Sequence, residues 1–485
     1  MTFLIGLGKT GLAIGLIMSR REFRNKKENS NLHNRDHNGG TLIVLPASLI
    51  YQWKGEFDKF CCEGALNVCI HHGSKRENIP KHLALDYDVV ITSYNLVSRD
   101  KNVFKKIYWE RIILDEGHYI RNMRTKKSIA CCKLKGKNRW ILSGTPIQND
   151  KDDLQAFIKF FHFVPFNEST IWKQCTTSEG LKVILKRLML RRTKKELEDL
   201  GMIEPLPSKN VKNLYLKLCD EENDLYNFVL EFSKALFALF LKQNPEESEG
   251  FQWENDVYIK HLLSRIMSLF DDDQVQRNQM RILLLRLRHI ALHPSLIFKL
   301  VDKEDCLLDY RETESLPSFD LIKHLRDIVE DEESDFISDE NIRVRELLSP
   351  SNPIFDPKKP STKVNMLMSI LEDKLKTREK IIIVSTFVQF LELVEHALEE
   401  KRICFLTFTG KTPVSEREDI VTCFNDPSSE YQVMLLSMRA GAVGLNLTGA
   451  NNMFILDLDW KSQVELQVMD RIHRIGQMKS VTILK

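Results

Sequence analysis

The feature that most narrows the fold is where short β-rich runs fall along the chain. They occur in two separate groups, and within each group the runs alternate with helical stretches. In the first group the runs are Thr41–Leu45, Asp88–Thr92, Arg111–Leu114 and Arg139–Leu142. In the second they are Ile381–Ser385, Cys404–Phe408, Gln432–Leu436, Met453–Leu456 and Val481–Leu484. Strands separated by helices cannot pair as hairpins, so they predict parallel sheets covered by helices. Two groups predict two such sheets, and at 485 residues the chain is long enough for several domains.

The middle follows a different pattern. From Asp220 to about Leu300 the sequence is helical, with Leu225, Val229, Phe232, Leu236 and Phe240 at helical spacing, a stripe that predicts core. Asp327 to Glu340 then carries eight acidic residues and no Lys or Arg, and Pro350, Pro353, Pro357 and Pro360 follow. Such a run predicts a solvated, partly disordered linker. The expected division is an α/β lobe over 1–197, a helical insertion and linker over 198–360, and a second α/β lobe over 361–485. The formal charge is only +2, so any nucleic-acid surface must be a local patch. None of the ten cysteines has C-x-x-C spacing, so no structural zinc is expected. No apolar run reaches membrane-spanning length, and no membrane partner is expected.

Gly6-Leu7-Gly8-Lys9-Thr10, followed by a helical stretch, has the composition of a phosphate-binding loop. Glycines let backbone N–H groups approach phosphates, Lys9 would reach the β/γ-phosphates, and Thr10 would hold Mg²⁺. Asp115-Glu116-Gly117-His118 follows the apolar run Ile112–Leu114. Acids at a strand end are costly without a cation, so Asp115 is a candidate Mg²⁺ ligand, directly or through water. Glu116 is the candidate base for the attacking water. An exposed strand-to-loop turn would explain the same residues without chemistry. Ser143–Asn149 and Ser437–Leu447 are small-residue loops after strands, and the second could bring backbone amides to phosphates. Near the end of the chain a helix from about Ser462 would put Gln467, Arg471 and Arg474 on one face. Val464, Val468, Ile472 and Ile475 would then form an adjacent apolar stripe.

Taken in order, these runs resemble the SWI/SNF-type ATPases of helicase superfamily 2. The resemblance also includes Thr41–Trp53, Ile91-Thr92-Ser93-Tyr94, Leu190-Arg191-Arg192-Thr193-Lys194 and Ile382–Ser385. Arg111–Glu116, Leu285-Arg286-Leu287-Arg288, His293-Pro294 and Val433–Ser437 with Gly444–Gly449 are similar to the lodestar / transcription termination factor 2 branch. The resemblance implies two RecA-like lobes, with ATP and Mg²⁺ held by Gly6, Leu7, Gly8, Lys9, Thr10 and Asp115. It implies catalysis by Glu116 with arginine fingers Arg471 and Arg474, and DNA contacts at Ser93, Tyr94, Gly441 and Gly444. It further implies a nuclear protein, with a cytoplasmic pool as an alternative, that moves on double-stranded DNA without separating strands. In that branch the partner displaced is the RNA polymerase II elongation complex.

Two departures set further expectations. Phe3, Leu4 and Ile5 stand where the family has an acidic pair and a methionine, and Ala442 replaces a usual glycine. The strand before the phosphate loop is expected to be missing, and both lobes to be truncated at their outer ends. A chain of this kind would hydrolyse ATP poorly, and a DNA- or polymerase-binding scaffold with an impaired site is the alternative function.

Overall fold

The computed structural model describes residues 2–3, 9–28, 39–73, 87–144, 152–175, 178–244, 262, 266, 275, 277–298, 321–330, 346–349, 351–413, 416–442 and 444–485. Strand β1 (Thr2–Phe3) pairs in parallel with β7 (Leu190–Arg191). The expectation of no strand ahead of the phosphate loop is therefore corrected: a two-residue strand lies there. Its partner is a segment almost two hundred residues away, which local pattern could not reveal.

The first lobe has a five-stranded all-parallel sheet in the order β3-β4-β2-β5-β6. The strands are β2 (Gly39–Leu45), β3 (Val68–His71), β4 (Val89–Ser93), β5 (Tyr108–Leu114) and β6 (Lys135–Ile141). The central strands are nearly continuous β-branched runs because helices cover both faces. Leu42, Val44, Val90, Ile112 and Leu114 face one layer, while Ile43, Leu45, Val89, Ile91 and Ile113 face the other.

The second lobe has a six-stranded parallel sheet in the order β10-β11-β9-β12-β13-β8. It contains β9 (Ile381–Ser385), β10 (Phe405–Phe408), β11 (Val433–Ser437), β12 (Asn452–Ile455) and β13 (Val481–Leu484). Its edge is β8 (Lys209–Lys212), which pairs with β13 although it lies just past the first lobe in sequence. The two sheets match the expected α/β, two-lobe architecture.

Between the lobes, helices Asp220–Gln243, Arg277–Ile290 and Leu321–Glu330 share one apolar core. It includes Leu225, Val229, Phe232, Leu236 and Phe240, as the stripe predicts. The helix Leu321–Glu330 runs into the start of the acidic stretch, so Asp327–Glu330 is helical rather than linker. The rest of that stretch, 331–340, lies outside the described residues, as do Gly6, Leu7 and Gly8 of the glycine loop and 145–149. Among the described residues no helix is long and apolar enough to cross a membrane.

Candidate nucleotide site between the lobes

β5 ends at Leu114, and the next two residues are the carboxylates. Asp115 is buried at the end of the strand, where its N–H still donates to Val44 O (2.9 Å). The Trp53 indole donates to Asp115 Oδ2 (2.8 Å), and the Glu116 amide donates to Asp115 Oδ1 (2.9 Å). The Tyr94 hydroxyl donates to the Asp115 carbonyl (2.7 Å). Two side chains from separate elements thus fix this one residue.

Glu116 leaves the strand in the left-handed region (φ 49°, ψ 54°). A non-glycine residue there costs about 1–3 kcal/mol and persists only where its surroundings hold it. Gly117 shows why the chain is forced into this turn. A Cβ at Gly117 would lie 2.2 Å from Ile141 Cγ2, so the backbone passes directly against the neighbouring strand.

The turn brings Glu116 beside a lysine and a histidine. Lys9 Nζ is 3.9 Å from Glu116 Oε1, and His118 Nδ1 is 3.3 Å from Oε2. Burial pushes the Glu116 carboxyl up, but Lys9, His118 and Arg471 outweigh it and hold it at about 2. Asp115 moves the other way: burial and the Glu116 charge raise it, against Lys9 and the Trp53 hydrogen bond. A buried carboxylate raised by its neighbours suits a site completed by a divalent cation, which would favour the charged form. Both Asp115 oxygens keep a second lone pair beyond the bonds they accept. With Thr10 at the start of the helix Lys9–Glu28, the residues fit Mg²⁺.

The second lobe contributes to the same place. Arg471 is buried, its Nε donates to the Gly441 carbonyl (3.0 Å), and the Glu116 and Asp115 charges favour its charged form against burial. Arg474 is half-buried; burial lowers it, and Glu56 of the first lobe opposes that shift. The predicted helix is shorter than expected: it spans Ser462–Met469, and both arginines lie in the turns beyond it. Val468 and Ile472 are buried as the stripe predicts, whereas Ile475 is exposed.

The candidate DNA contacts are placed as follows. Ser93 caps the short helix Tyr94–Arg99, its Oγ accepting from Leu96 N, and both Ser93 and Tyr94 are buried. Gly441 is buried against Leu436, where a Cβ would lie 2.8 Å from Leu436 Cδ2. Gly444 (φ 33°) sits at the seam between the lobes. A Cβ there would lie 2.6 Å from Leu49 Cδ2, and its carbonyl accepts from Gln52 Nε2 (2.8 Å).

Sequence reasoning gave no separate role to Gln52, Trp53 or Lys194, although all three stand in runs it singled out. A tryptophan beside a glutamine at the end of Thr41–Trp53 was the available signal for two polar contacts on one helix, Ile50–Phe60.

Known families and proteins are similar to this chain along most of its length. Residues 5–296 match the SNF2-related domain, and residues 362–476 match the helicase conserved C-terminal domain. Transcription termination factor 2 of Drosophila melanogaster is 36% identical over 92% of this chain and 46% of its own length. The DNA repair proteins RAD5B and RAD5A of Arabidopsis thaliana are 29% and 30% identical, covering 99% and 92% of this chain. They are covered over 42% and 48% of their own lengths, so the chain spans less than half of each of these three relatives. A solved Sulfolobus solfataricus SWI2/SNF2 ATPase core in complex with dsDNA aligns over 100% of this chain and 82% of its own. It does so at 25% identity with a TM-score of 0.38. With the first domain model matching well over half of its residues, this chain belongs to the SNF2-related family.

Proposed function

We propose that this chain is the ATP-hydrolysing engine of a protein that moves on double-stranded DNA without separating its strands. Within that reading it displaces an RNA polymerase II elongation complex, or other bound proteins, from the template, and it acts in the nucleus. The observation that carries the reading is the meeting of Lys9, Asp115 and Glu116 from one lobe with Arg471 from the other. A phosphate anchor, a metal carboxylate, a base and an arginine are the parts that phosphoryl transfer to water requires.

Each residue then has a task. Lys9, Thr10 and the Gly6–Gly8 backbone bind the triphosphate. Asp115 holds Mg²⁺, which when bound neutralises charge on the phosphates. Glu116 orients and deprotonates the attacking water. Before nucleotide arrives, Lys9 is close to Glu116 and keeps it a poor base. When Lys9 turns to the phosphates, Glu116 loses that partner and its proton affinity rises. Substrate binding thus prepares the base. Arg471 and Arg474 stabilise the transferring phosphoryl group from across the seam. DNA phosphates are assigned to backbone groups around Ser93, Tyr94, Gly441 and Gly444, at the C-terminal ends of β4 and β11. The side chains of Ser93 and Tyr94 are turned inward, so these contacts carry little sequence information.

The test is ATP hydrolysis with and without duplex DNA, comparing the chain with Glu116→Gln and Arg474→Ala. Duplex-stimulated hydrolysis that both variants lose is expected. Equal rates in all three would refute the site and favour the scaffold alternative. Displacement of a third strand from a triplex, without unwinding of a duplex, separates translocation from strand separation.

A further inference from the structure

The turn that carries Arg471 is held from outside its own lobe. Lys194 Nζ donates to Asp470 Oδ1 (2.7 Å) and to the His473 carbonyl (2.6 Å). These groups flank Arg471 on both sides, and the Lys194 and Asp470 side chains are largely screened from solvent. The His473 ring completes the clamp through Nε2, 2.9 Å from the Pro207 carbonyl. Lys194 is itself fixed. It is the first residue of the helix Lys194–Asp199, where Thr193 Oγ1 accepts from Glu196 N and Glu196 Oε2 accepts from Thr193 N (2.6 Å). Such a reciprocal cap leaves the lysine's backbone little freedom.

The segment containing Lys194 touches three parts of the machine in order. Leu190–Arg191 pairs with Thr2–Phe3, just before the glycine loop. Lys194 grips the arginine turn. Lys209–Lys212 then becomes the edge strand of the second lobe. A single strap of about twenty residues therefore links the strand entering the phosphate loop to the turn opposite it.

We propose that Lys194, acting through Asp470 and the His473 carbonyl, is the positioning residue that sets Arg471 toward the phosphates. This rests on the proposed ATPase function and deepens it. Lys194 does not touch the nucleotide site: its effect passes through the Asp470–His473 turn, whose carbonyls at 471, 472 and 473 are all bonded outside a helix. Leu447 N, Gln477 Nε2 and Lys194 Nζ are the respective donors.

The experiment measures single-turnover hydrolysis with the chain in excess over ATP·Mg²⁺ and duplex DNA. It uses Lys194→Met, the milder Asp470→Asn, Arg471→Ala, and each of the first two combined with Arg471→Ala. ATP affinity is measured separately by binding of a fluorescent analogue. Hydrogen exchange of the 469–476 backbone is followed without nucleotide. Losing Arg471 is expected to cost roughly 10³–10⁵-fold in rate. Misplacing it by about an ångström through Lys194→Met or Asp470→Asn is expected to cost up to about a hundredfold. ATP affinity should be unchanged and 469–476 should exchange faster. In the Arg471→Ala background neither substitution should slow the reaction further. Additive losses in that background would make Lys194 a general tether and overturn the proposal. Wild-type rates in Lys194→Met and Asp470→Asn, beside a slow Arg471→Ala, would overturn it while leaving the ATPase reading intact. A wild-type rate in Arg471→Ala would overturn the arginine assignment and the proposal together.

Discussion

Removing the charge of a buried catalytic carboxylate commonly stabilises a protein, because active sites hold strain and repulsion that function requires. Here the opposite is expected for Glu116→Gln in the metal- and nucleotide-free chain. Glutamine reproduces the shape of the protonated acid, so the substitution reads the worth of the ionised form. Although burial opposes it, the Lys9, His118 and Arg471 surroundings bring Glu116 from 4.5 to about 2. That difference corresponds to about 3 kcal/mol at neutral pH. The sign follows from the depressed value: this stability is present above pH 4.5 and is lost as pH falls through about 2. Asp115, raised by burial and by the Glu116 charge, works in the other direction and gains when Glu116 is neutralised, so the net loss is about 2–3 kcal/mol. Urea unfolding of wild type and Glu116→Gln, in EDTA at pH 7 and again at pH 3, gives the comparison. A clear loss at pH 7 that shrinks at pH 3 is expected, with tighter ATP binding by the variant because phosphate replaces the missing anion beside Lys9 and Arg471. A variant as stable as wild type at pH 7, or more so, would refute the electrostatic account of the site.

Two further substitutions probe the helix Ile50–Phe60. Trp53→Phe removes the indole donor to Asp115 Oδ2 and leaves a buried carboxylate oxygen short of a partner, at a cost of about 1.5–3 kcal/mol. Because that bond favours the ionised acid, the variant should need a higher Mg²⁺ concentration for half-maximal hydrolysis, increasingly so as the pH is lowered; an unchanged Mg²⁺ requirement would count against the role. Gln52→Ala removes the bond to the Gly444 carbonyl at the seam. Nucleotide affinity should stay near wild type while the stimulation of hydrolysis by duplex DNA falls severalfold, and full stimulation would show that this bond does not report lobe closure.

Much of the fold was legible because the central strands hold apolar runs that two-sided burial explains. Ile381–Ser385 and Val481–Leu484 were located to the residue, and Val433–Ser437 within one. The short apolar strand Val68–His71 escaped notice, and two others that did so have no such signature. Lys209-Asn210-Val211-Lys212 is three-quarters polar, half-exposed to exposed, and is a strand only because Val481–Leu484 offers it an edge. Thr2–Phe3 is likewise defined by its partner, Leu190–Arg191. Pairings of this kind depend on tertiary context rather than on local propensity.

The site was legible in its chemistry and not in its backbone. Gln467, Arg471 and Arg474 recur at helical spacing, yet the helix stops at Met469. Spacing cannot distinguish a continuing helix from a succession of turns with the same advance. The helix closes with three-residue bonds, Arg471 N to Val468 O and Ile472 N to Met469 O, and beyond it Arg471 O, Ile472 O and His473 O each accept a donor from outside a helix. The same holds for the acidic turn. Asp115 and Glu116 can be found by their position after an apolar strand, but the left-handed Glu116 cannot. It follows from Gly117 lying against Ile141 at the end of β6, a contact between segments well separated in sequence. In both places long-range contacts replace regular structure where a charged side chain must be aimed. A helix can carry an arginine to the seam, but its orientation is set by partners such as Lys194 and Gln477 that belong to neither face of that helix. Rebuilding the 470–476 turn as an ideal helix would therefore keep the spacing of the arginines and lose their direction.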